Sequence, residues 1–238
     1  MNYDYVYVEN LIIEVTRMCN LECGHCMRGE REPRILDIKH LENLLPEIHC
    51  IGSITLTGGE PALVVHTLIE IRNCLVKHRV EVQNFYLVTN GTMITPAFVL
   101  EMINWWCMCT INEGTHIQIS RSLWHGNGDI DISMLQALSF FSERGMLMED
   151  ELISEGRAVG IAPKEEMVGE YLGATLSEKT LSIDGELYIN CLGMFVSGCD
   201  YSYENQNKRA LMRITESDNI KSLVAILKDR GEYEEYND

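Results

Sequence analysis

Ser53-Ile54-Thr55-Leu56-Thr57-Gly58-Gly59-Glu60-Pro61-Ala62-Leu63 is a strand, a turn and a helix start written end to end. Ser53 to Thr57 alternates hydroxyl-bearing with branched apolar residues, the pattern of a strand. Gly58 and Gly59 interrupt it. Pro61, with its φ already fixed near the helical value, suits a first helical turn. Leu63, Leu68, Ile71 and Leu75 then recur at helical spacing as far as about His78. A strand followed at once by a helix is the repeating unit of a parallel sheet, because parallel neighbours must be joined by a crossover.

The same unit recurs on both sides. Upstream, Leu11 to Val15 reads as a buried strand, a polar loop rich in Cys and Arg runs to about Leu36, and Asp37 caps a helix through His49 in which Pro46 marks a kink or an early end. Downstream, Phe85 to Thr89 is a strand ending in Asn90 and Gly91, and Thr95-Pro96 opens a helix to about Trp106. His116 to Ser120 is a fourth strand, Asp131 caps a helix to about Glu143 closed by Gly145, and Arg157 to Ile161 is a further strand candidate. The fold class is therefore α/β, a parallel sheet or barrel with ligand loops at the carboxyl ends of its strands. After about Lys164 a short helical stretch leads to Thr180–Ile183 and Glu186–Ile189, which read as a hairpin turned by Asp184-Gly185. Ser217 then caps an amphipathic helix to about Lys228, and Glu232 to Asp238 reads as a solvated acidic tail. With no Pro- or Ser-rich linker, the reading is one domain: a core over 1–163 and an extension over 164–238 packed on it, with the acidic tail at 232–238.

The chain has 238 residues, 46% hydrophobic and 23% charged, the composition of a globular protein able to bury a core without covalent staples. Its 36 acidic and 19 basic residues give a net charge of -17, which repels polyanions and disfavours nucleic acid and anionic membrane surfaces as partners. The longest uncharged stretch, Val82 to Leu100, includes Gln83, Asn84, Asn90, Gly91 and Pro96 and is not a membrane span. The cysteine count of 9 is odd, and Met1 to Glu14 carries three acids with no Lys or Arg, unlike a secretory signal. A reducing, cytoplasmic setting is expected.

Cys19, Cys23 and Cys26 stand at Cys-x3-Cys-x2-Cys directly after the first strand. Thiolates this close, on backbone able to fold around a metal, suit soft-metal or iron-sulfur ligation. A structural zinc site closes with four ligands, whereas three leave a position open. His25 lies beside Cys26 and is poorly placed to bind the same ion, and His40 reaches it only if the loop folds back. A cubane with three protein ligands would expose one iron to a cofactor.

In its context Cys19-Asn20-Leu21-Glu22-Cys23-Gly24-His25-Cys26, the triplet resembles the signature of radical S-adenosylmethionine (SAM) enzymes. Two further features carry the resemblance: Thr57-Gly58-Gly59-Glu60-Pro61 is similar to that family's Gly-Gly-Glu-Pro turn, and Val88-Thr89-Asn90-Gly91 to its Thr-Asn-Gly turn. Taken singly, a Gly-Gly turn is also a common loop and Asn-Gly a generic turn. Taken together, the resemblance implies a 4Fe-4S cluster on Cys19, Cys23 and Cys26, the metal-binding and catalytic centre, with SAM chelating the remaining iron through its amino and carboxylate groups. It implies that Gly58, Gly59, Glu60 and Pro61 bind the methionine amino group, with Glu60 as an anion for the ammonium, and that Asn90 lies on the cofactor side. It implies a partial (β/α)6 barrel over roughly Leu11 to Pro163, here followed by a short hairpin and helix. A reductant such as flavodoxin or ferredoxin would supply the electron, and a 5'-deoxyadenosyl radical would abstract hydrogen from a substrate.

Other residues keep two readings each. Ser120, at the end of the fourth strand, and Arg157, near a late strand, match positions where the family places groups toward the SAM ribose or carboxylate, and either is equally a strand-end surface group. His25 occupies the place of an aromatic that packs near adenine, or faces solvent. Cys191 and Cys199 resemble the late cysteines of peptide-modifying members, yet an auxiliary cluster needs about four ligands; Cys107 and Cys109 more simply pack apolarly, as Cys50 and Cys74 do. Arg28, Arg31 and Arg34, interleaved with Glu30 and Glu32, read as a solvated loop. Trp124 and His125 line the barrel mouth or pack at the surface. Three functions stay in play: a radical SAM enzyme on a peptide or protein, slightly favoured; one on a small molecule or nucleotide, or a glycyl-radical activase; and a non-catalytic zinc or iron-sulfur protein.

Overall fold

A computed structural model describes residues 3–120, 124–125, 130–143, 152–161 and 171–236. The first strand, β1 (Tyr5–Thr16), lies near the middle of a 10-stranded sheet. On one side follow β2 (Cys50–Gly58), β3 (Glu81–Thr89), β4 (His116–Ile119) and β5 (Phe141–Glu143), each parallel to its neighbour and in chain order. Their crossovers carry α1 (Lys39–Leu44), α2 (Val65–His78), α3 (Pro96–Met108) and α4 (Ser133–Gln136). The sheet stays open and parallel-dominated, the parallel sheet expected from the repeating units and the partial barrel implied by the resemblance.

On the other side of β1 lies β7 (Thr180–Ile189), parallel to it, then β6 (Leu172–Ser177), antiparallel to β7, and β10 (Tyr233–Tyr236), parallel to β6. β8 (Met194–Ser197) and β9 (Ala210–Arg213) branch off β7, with α5 (Tyr203–Lys208) between them and α6 (Asn219–Asp229) after them. The C-terminal residues therefore continue the sheet.

Alternation along the strands sorts the two faces. Leu11, Ile13 and Val15 of β1 join Ile54, Leu56, Phe85, Leu87, Ile117 and Ile119 in the main core beneath the helices. Ile12 turns the other way, into a smaller cluster with Tyr188, Val196 and Tyr201. The expected cap at Thr95 is present, its hydroxyl accepting from the Phe98 N–H at 3.2 Å. Pro46 does end the first helix early: α1 stops at Leu44 and Leu45–Glu47 tighten into a 3-10 turn.

Five local readings are corrected. Asp184-Gly185 is not a hairpin turn but a bulge inside β7, where the register against β1 slips between Val8 and Asn10. Gly185 has φ +83, and a Cβ there would meet the Tyr171 carbonyl at 1.9 Å, while Asp184 accepts from Thr175 Oγ1 at 2.6 Å; the true hairpin joins β6 to β7 through Glu178-Lys179. The run from Asp131 is helical only to Gln136, because the edge of β4 recruits Phe141–Glu143 as a ladder partner. Arg157–Ile161 is no strand: Gly156–Ala158 form a 3-10 turn held when Arg157 N–H donates to the Cys26 carbonyl at 2.9 Å. Ser217 does not cap α6; Asp218 precedes it, and Glu47 reaches across to accept from the Asn219 and Ile220 N–H groups, both at 2.9 Å. Most of the acidic tail is strand β10, whose ladder with β6 satisfies backbone that charge counting cannot see. Gly145, the helical stretch after Lys164 and the 163/164 boundary lie outside the described residues.

Candidate active site

The loop after β1 leaves and returns at one point. Arg17 N–H donates to the Arg34 carbonyl at 2.9 Å, Glu32 N–H to the Arg17 carbonyl at 3.1 Å and Leu36 N–H to the Val15 carbonyl at 3.0 Å, closing its base. Within it Cys19, Cys23 and Cys26 are half-buried. Cys26 N–H donates to the Cys23 carbonyl at 3.2 Å, and Leu21 N–H to Cys19 Sγ at 3.4 Å. Burial, then the charges of Cys26 and Cys19, push the Cys23 thiol up to about 11, against the pull of Arg157. Burial likewise raises Cys19. A metal that removes these protons relieves that crowding, so loading the site releases protons.

The β2 turn is pressed into this loop. Gly59 N–H donates to the Thr16 carbonyl at 2.7 Å and Glu60 N–H to the Met18 carbonyl at 2.8 Å. A Cβ on Gly58 would meet the Thr16 carbonyl at 2.2 Å, and one on Gly59 the Met18 carbonyl at 2.2 Å. The paired glycines are thus needed for the contact between the turn and the cysteine loop.

Glu60 is 1% exposed. Its carboxylate accepts from Ala62 N–H at 2.9 Å, Thr89 Oγ1 at 2.7 Å and Asn90 N–H at 2.7 Å. Burial raises its pKa in spite of these three donors. It therefore opens the helical segment that starts at Pro61 and ties the β2 turn to the β3 turn. Asn90 donates to Asn20 Oδ1 at 3.0 Å and accepts from Thr92 N–H at 2.9 Å, lacing the third turn to the cysteine loop. Both strand-end motifs thus meet the cysteine triplet at one end of the sheet.

Ser120, His25 and Arg157 converge on the same side. Ser120 Oγ lies 3.2 Å from His125 Nε2. His25 packs edge-on to His125 at 4.6 Å and tilted against Trp124 at 5.4 Å, and is buried rather than solvent-facing. Burial and then His25 hold His125 down to about 4; burial and then Arg157 lower His25. Both rings are neutral near pH 7. Cys107 is exposed, not packed, whereas Cys50, Cys74, Cys109 and Cys191 are buried. Cys191 sits under β1, its N–H donating to Glu14 Oε1 at 3.2 Å.

The sequence reading missed the polar core that backs the loop, and it misplaced Arg28. Arg28 is 6% exposed, not solvated: its guanidinium donates to the carbonyls of Cys199 and, at 2.8 Å, Tyr201, because α5 and the segment before it fold over the loop. Buried Glu14 accepts from Arg17 Nε at 2.7 Å and Tyr188 OH at 2.7 Å, and Arg17 Nη2 donates to Gln206 Oε1 at 3.0 Å. The available signal was Glu14 itself, a charge inside the apolar run Leu11 to Val15. A cleft of about 490 Å³ opens beside the loop, lined among others by Arg28, Glu30, Glu155, Arg157, Tyr203 and Asn205.

The donor set fits an iron-sulfur cluster better than a lone ion. A tetrahedral zinc with bonds of roughly 2.3 Å holds its sulfurs roughly 3.8 Å apart. Among the described residues, the metal-capable set whose ligand atoms all fall within 4.8 Å of one another is Glu42, Cys74 and His78, not the three loop thiols.

Residues 13–109 match the Radical SAM superfamily model. The cysteine loop and both turns lie inside that span, so this part of the chain is similar to the radical SAM superfamily, whose cofactors are a 4Fe-4S cluster and SAM. Among curated proteins it is 28% identical to mycofactocin maturase MftC of Mycolicibacterium smegmatis over 138 residues, 56% of this chain and 34% of that one. It is 26% identical to GTP 3',8-cyclase of Xanthomonas campestris over 135 residues, 52% of this chain and 39% of that one. The chain thus spans little more than a third of these relatives. A solved structure, native anSMEcpe with bound AdoMet and Cp18Cys peptide, aligns with a TM-score of 0.38 at 21% identity, covering 50% of this chain and 33% of that one. Among the described residues no helix is long and apolar enough to cross a membrane.

Proposed function

We propose that this chain is a radical SAM enzyme that reductively cleaves SAM and directs the resulting 5'-deoxyadenosyl radical to abstract hydrogen from a peptide or protein. The observation that carries it is the convergence of three half-buried thiols with the β2 and β3 turns, bridged by Glu60. When bound, the cluster and SAM supply the one-electron chemistry. Cys19, Cys23 and Cys26 would ligate the cluster. The amides of Gly59 and Glu60 already donate into the cysteine loop, so the carbonyls of this turn are the groups left to receive an ammonium. Asn90 holds the loop in register, Ser120 and Arg157 supply polar groups toward the ribose and carboxylate, and neutral His25 offers a ring face to adenine. A flavodoxin- or ferredoxin-type reductant would deliver the electron.

An open sheet and an adjoining cleft suit an extended chain better than a small ligand, which pockets usually enclose. The charge of -17 favours a neutral or cationic segment. The likeness to GTP 3',8-cyclase supports a second reading, a nucleotide substrate, which the same charge opposes. Anaerobic reconstitution with iron and sulfide, followed by dithionite and SAM, should release 5'-deoxyadenosine. Uptake of zinc without iron, and no 5'-deoxyadenosine, would instead leave the non-catalytic alternative. Stimulation of that release by GTP but not by a cationic peptide pool would replace the peptide reading with the nucleotide one.

A further inference from the structure

The helical layer holds a second cluster of metal-capable side chains. Cys74 and His78 lie one turn apart on α2 and so share a face, and Glu42 of α1 reaches that face. His78 Nε2 is 2.9 Å from Glu42 Oε2, and Lys77 Nζ is 2.5 Å from the same oxygen. One ligand atom from each of Glu42, Cys74 and His78 falls within 4.8 Å of the others. The group sits at the C-terminal end of α2, just before β3, and therefore at the opposite end of the sheet from the cysteine loop.

The geometry points to a divalent transition-metal site at Glu42, Cys74 and His78, filled by a borderline-soft ion such as zinc, with a fourth position left to water. Thiolate, imidazole and carboxylate are the donors zinc takes. A tetrahedral ion needs these atoms roughly 3.3–3.6 Å apart, so the side chains have only a short way to move. Thiolate and carboxylate together neutralise a dication, and the carbonyl end of a helix favours positive charge. In the protein as described, a proton and an ammonium stand where the dication would: the Cys74 thiol lies within 4.8 Å of a Glu42 carboxylate oxygen, and Lys77 pairs with that carboxylate. Burial, then the Glu42 charge, push that thiol up to about 12, so metal entry expels its proton and releases Lys77, which is 61% exposed, to solvent. A simple Lys77–Glu42 surface pair would account for neither the 3%-exposed Cys74 thiol near the carboxylate nor the imidazole nitrogen beside it. Bound metal would pin α1 to α2 and stiffen the helical face without touching the radical chemistry, so this inference does not rest on the proposed function.

The test uses the full chain with its iron-sulfur cluster reconstituted, incubated with zinc chloride, desalted and analysed for zinc and iron. Wild type should retain about one zinc beyond its iron, and its melting temperature should rise with added zinc. His78→Gln and Glu42→Gln, at partly exposed positions, should each weaken zinc binding by at least about tenfold with iron content unchanged. Cys74→Ser should do the same; if it fails to fold, the two other variants decide. Wild type that retains no zinc, or variants that bind it as tightly as wild type, would overturn the site.

Discussion

The two faces of β1 are built on opposite rules. Leu11, Ile13 and Val15 meet apolar side chains from the helices and neighbouring strands, contacts that are non-directional and tolerate small adjustments. Glu14 and Thr16, on the other face, meet partners through bonds of fixed geometry: Arg17, Tyr188 and the Cys191 N–H for Glu14, and the Arg34 carbonyl for Thr16. Both faces contribute stability, and the polar one also positions the cysteine loop. A single strand therefore couples the core to the site, and each face can be attacked separately.

The sharpest break is Cys23→Ala. Iron content and 5'-deoxyadenosine release should fall to background while stability shifts by no more than about 1 kcal/mol, as for a partly exposed loop position; retained SAM cleavage would remove these cysteines from the mechanism. Glu14→Gln should cost about 3 kcal/mol in denaturant unfolding, because the buried Arg17 loses its buried countercharge and keeps only the partly exposed Glu32, 3.0 Å from its Nη1. The same variant tests a pH dependence. Burial raises the Glu14 pKa, but the Arg17 charge and hydrogen bond outweigh it and hold the group below its ordinary 4.5. The folded-state value being the lower one, its contribution is complete above about pH 4.5 and fades as pH falls through the depressed value. Glu14→Gln should flatten the acid limb of the stability curve.

On the apolar face Leu11→Ala should cost about 2–5 kcal/mol, yet below its lowered melting temperature the protein should still load iron normally. Gly59→Ala places a methyl 2.2 Å from the Met18 carbonyl; about 1–3 kcal/mol of stability should be lost, and iron occupancy should drop with it, which Leu11→Ala would not cause. The smallest effect belongs to Glu47→Gln, which weakens the remote cap on α6 by about 1 kcal/mol in thermal unfolding and leaves the site intact.

What could be read in advance follows the same division. The strand-turn-helix units announced themselves by period and by Pro and Gly, and the cysteine triplet and both strand-end turns are local motifs, so each was visible where it stands. Features that depend on distant partners were not. Asp184-Gly185 has the chemistry of a tight turn, yet β1 and β6 on either side hold it as a bulge. Ser217 is a good cap by type, but Glu47 supplies the acceptors from another crossover. Arg28 looks solvated among its acidic neighbours until Cys199 and Tyr201 fold over it. Glu60 has the charge to meet an ammonium, and only the meeting of two turns shows that Thr89 and Asn90 already surround it.

The central position of β1 has a consequence for how the chain is made. Tyr7 pairs with Cys50 on one edge but with Ser182 on the other, so during synthesis that second edge stays open until most of these residues have emerged. Contacts so distant in sequence form slowly, and an unpaired apolar strand in the interval invites association with other nascent chains. The loop that follows β1 also waits, since Arg17 and Arg28 find Gln206, Cys199 and Tyr201 only near the end. Cluster insertion into a half-made chain would meet a loop without its backing.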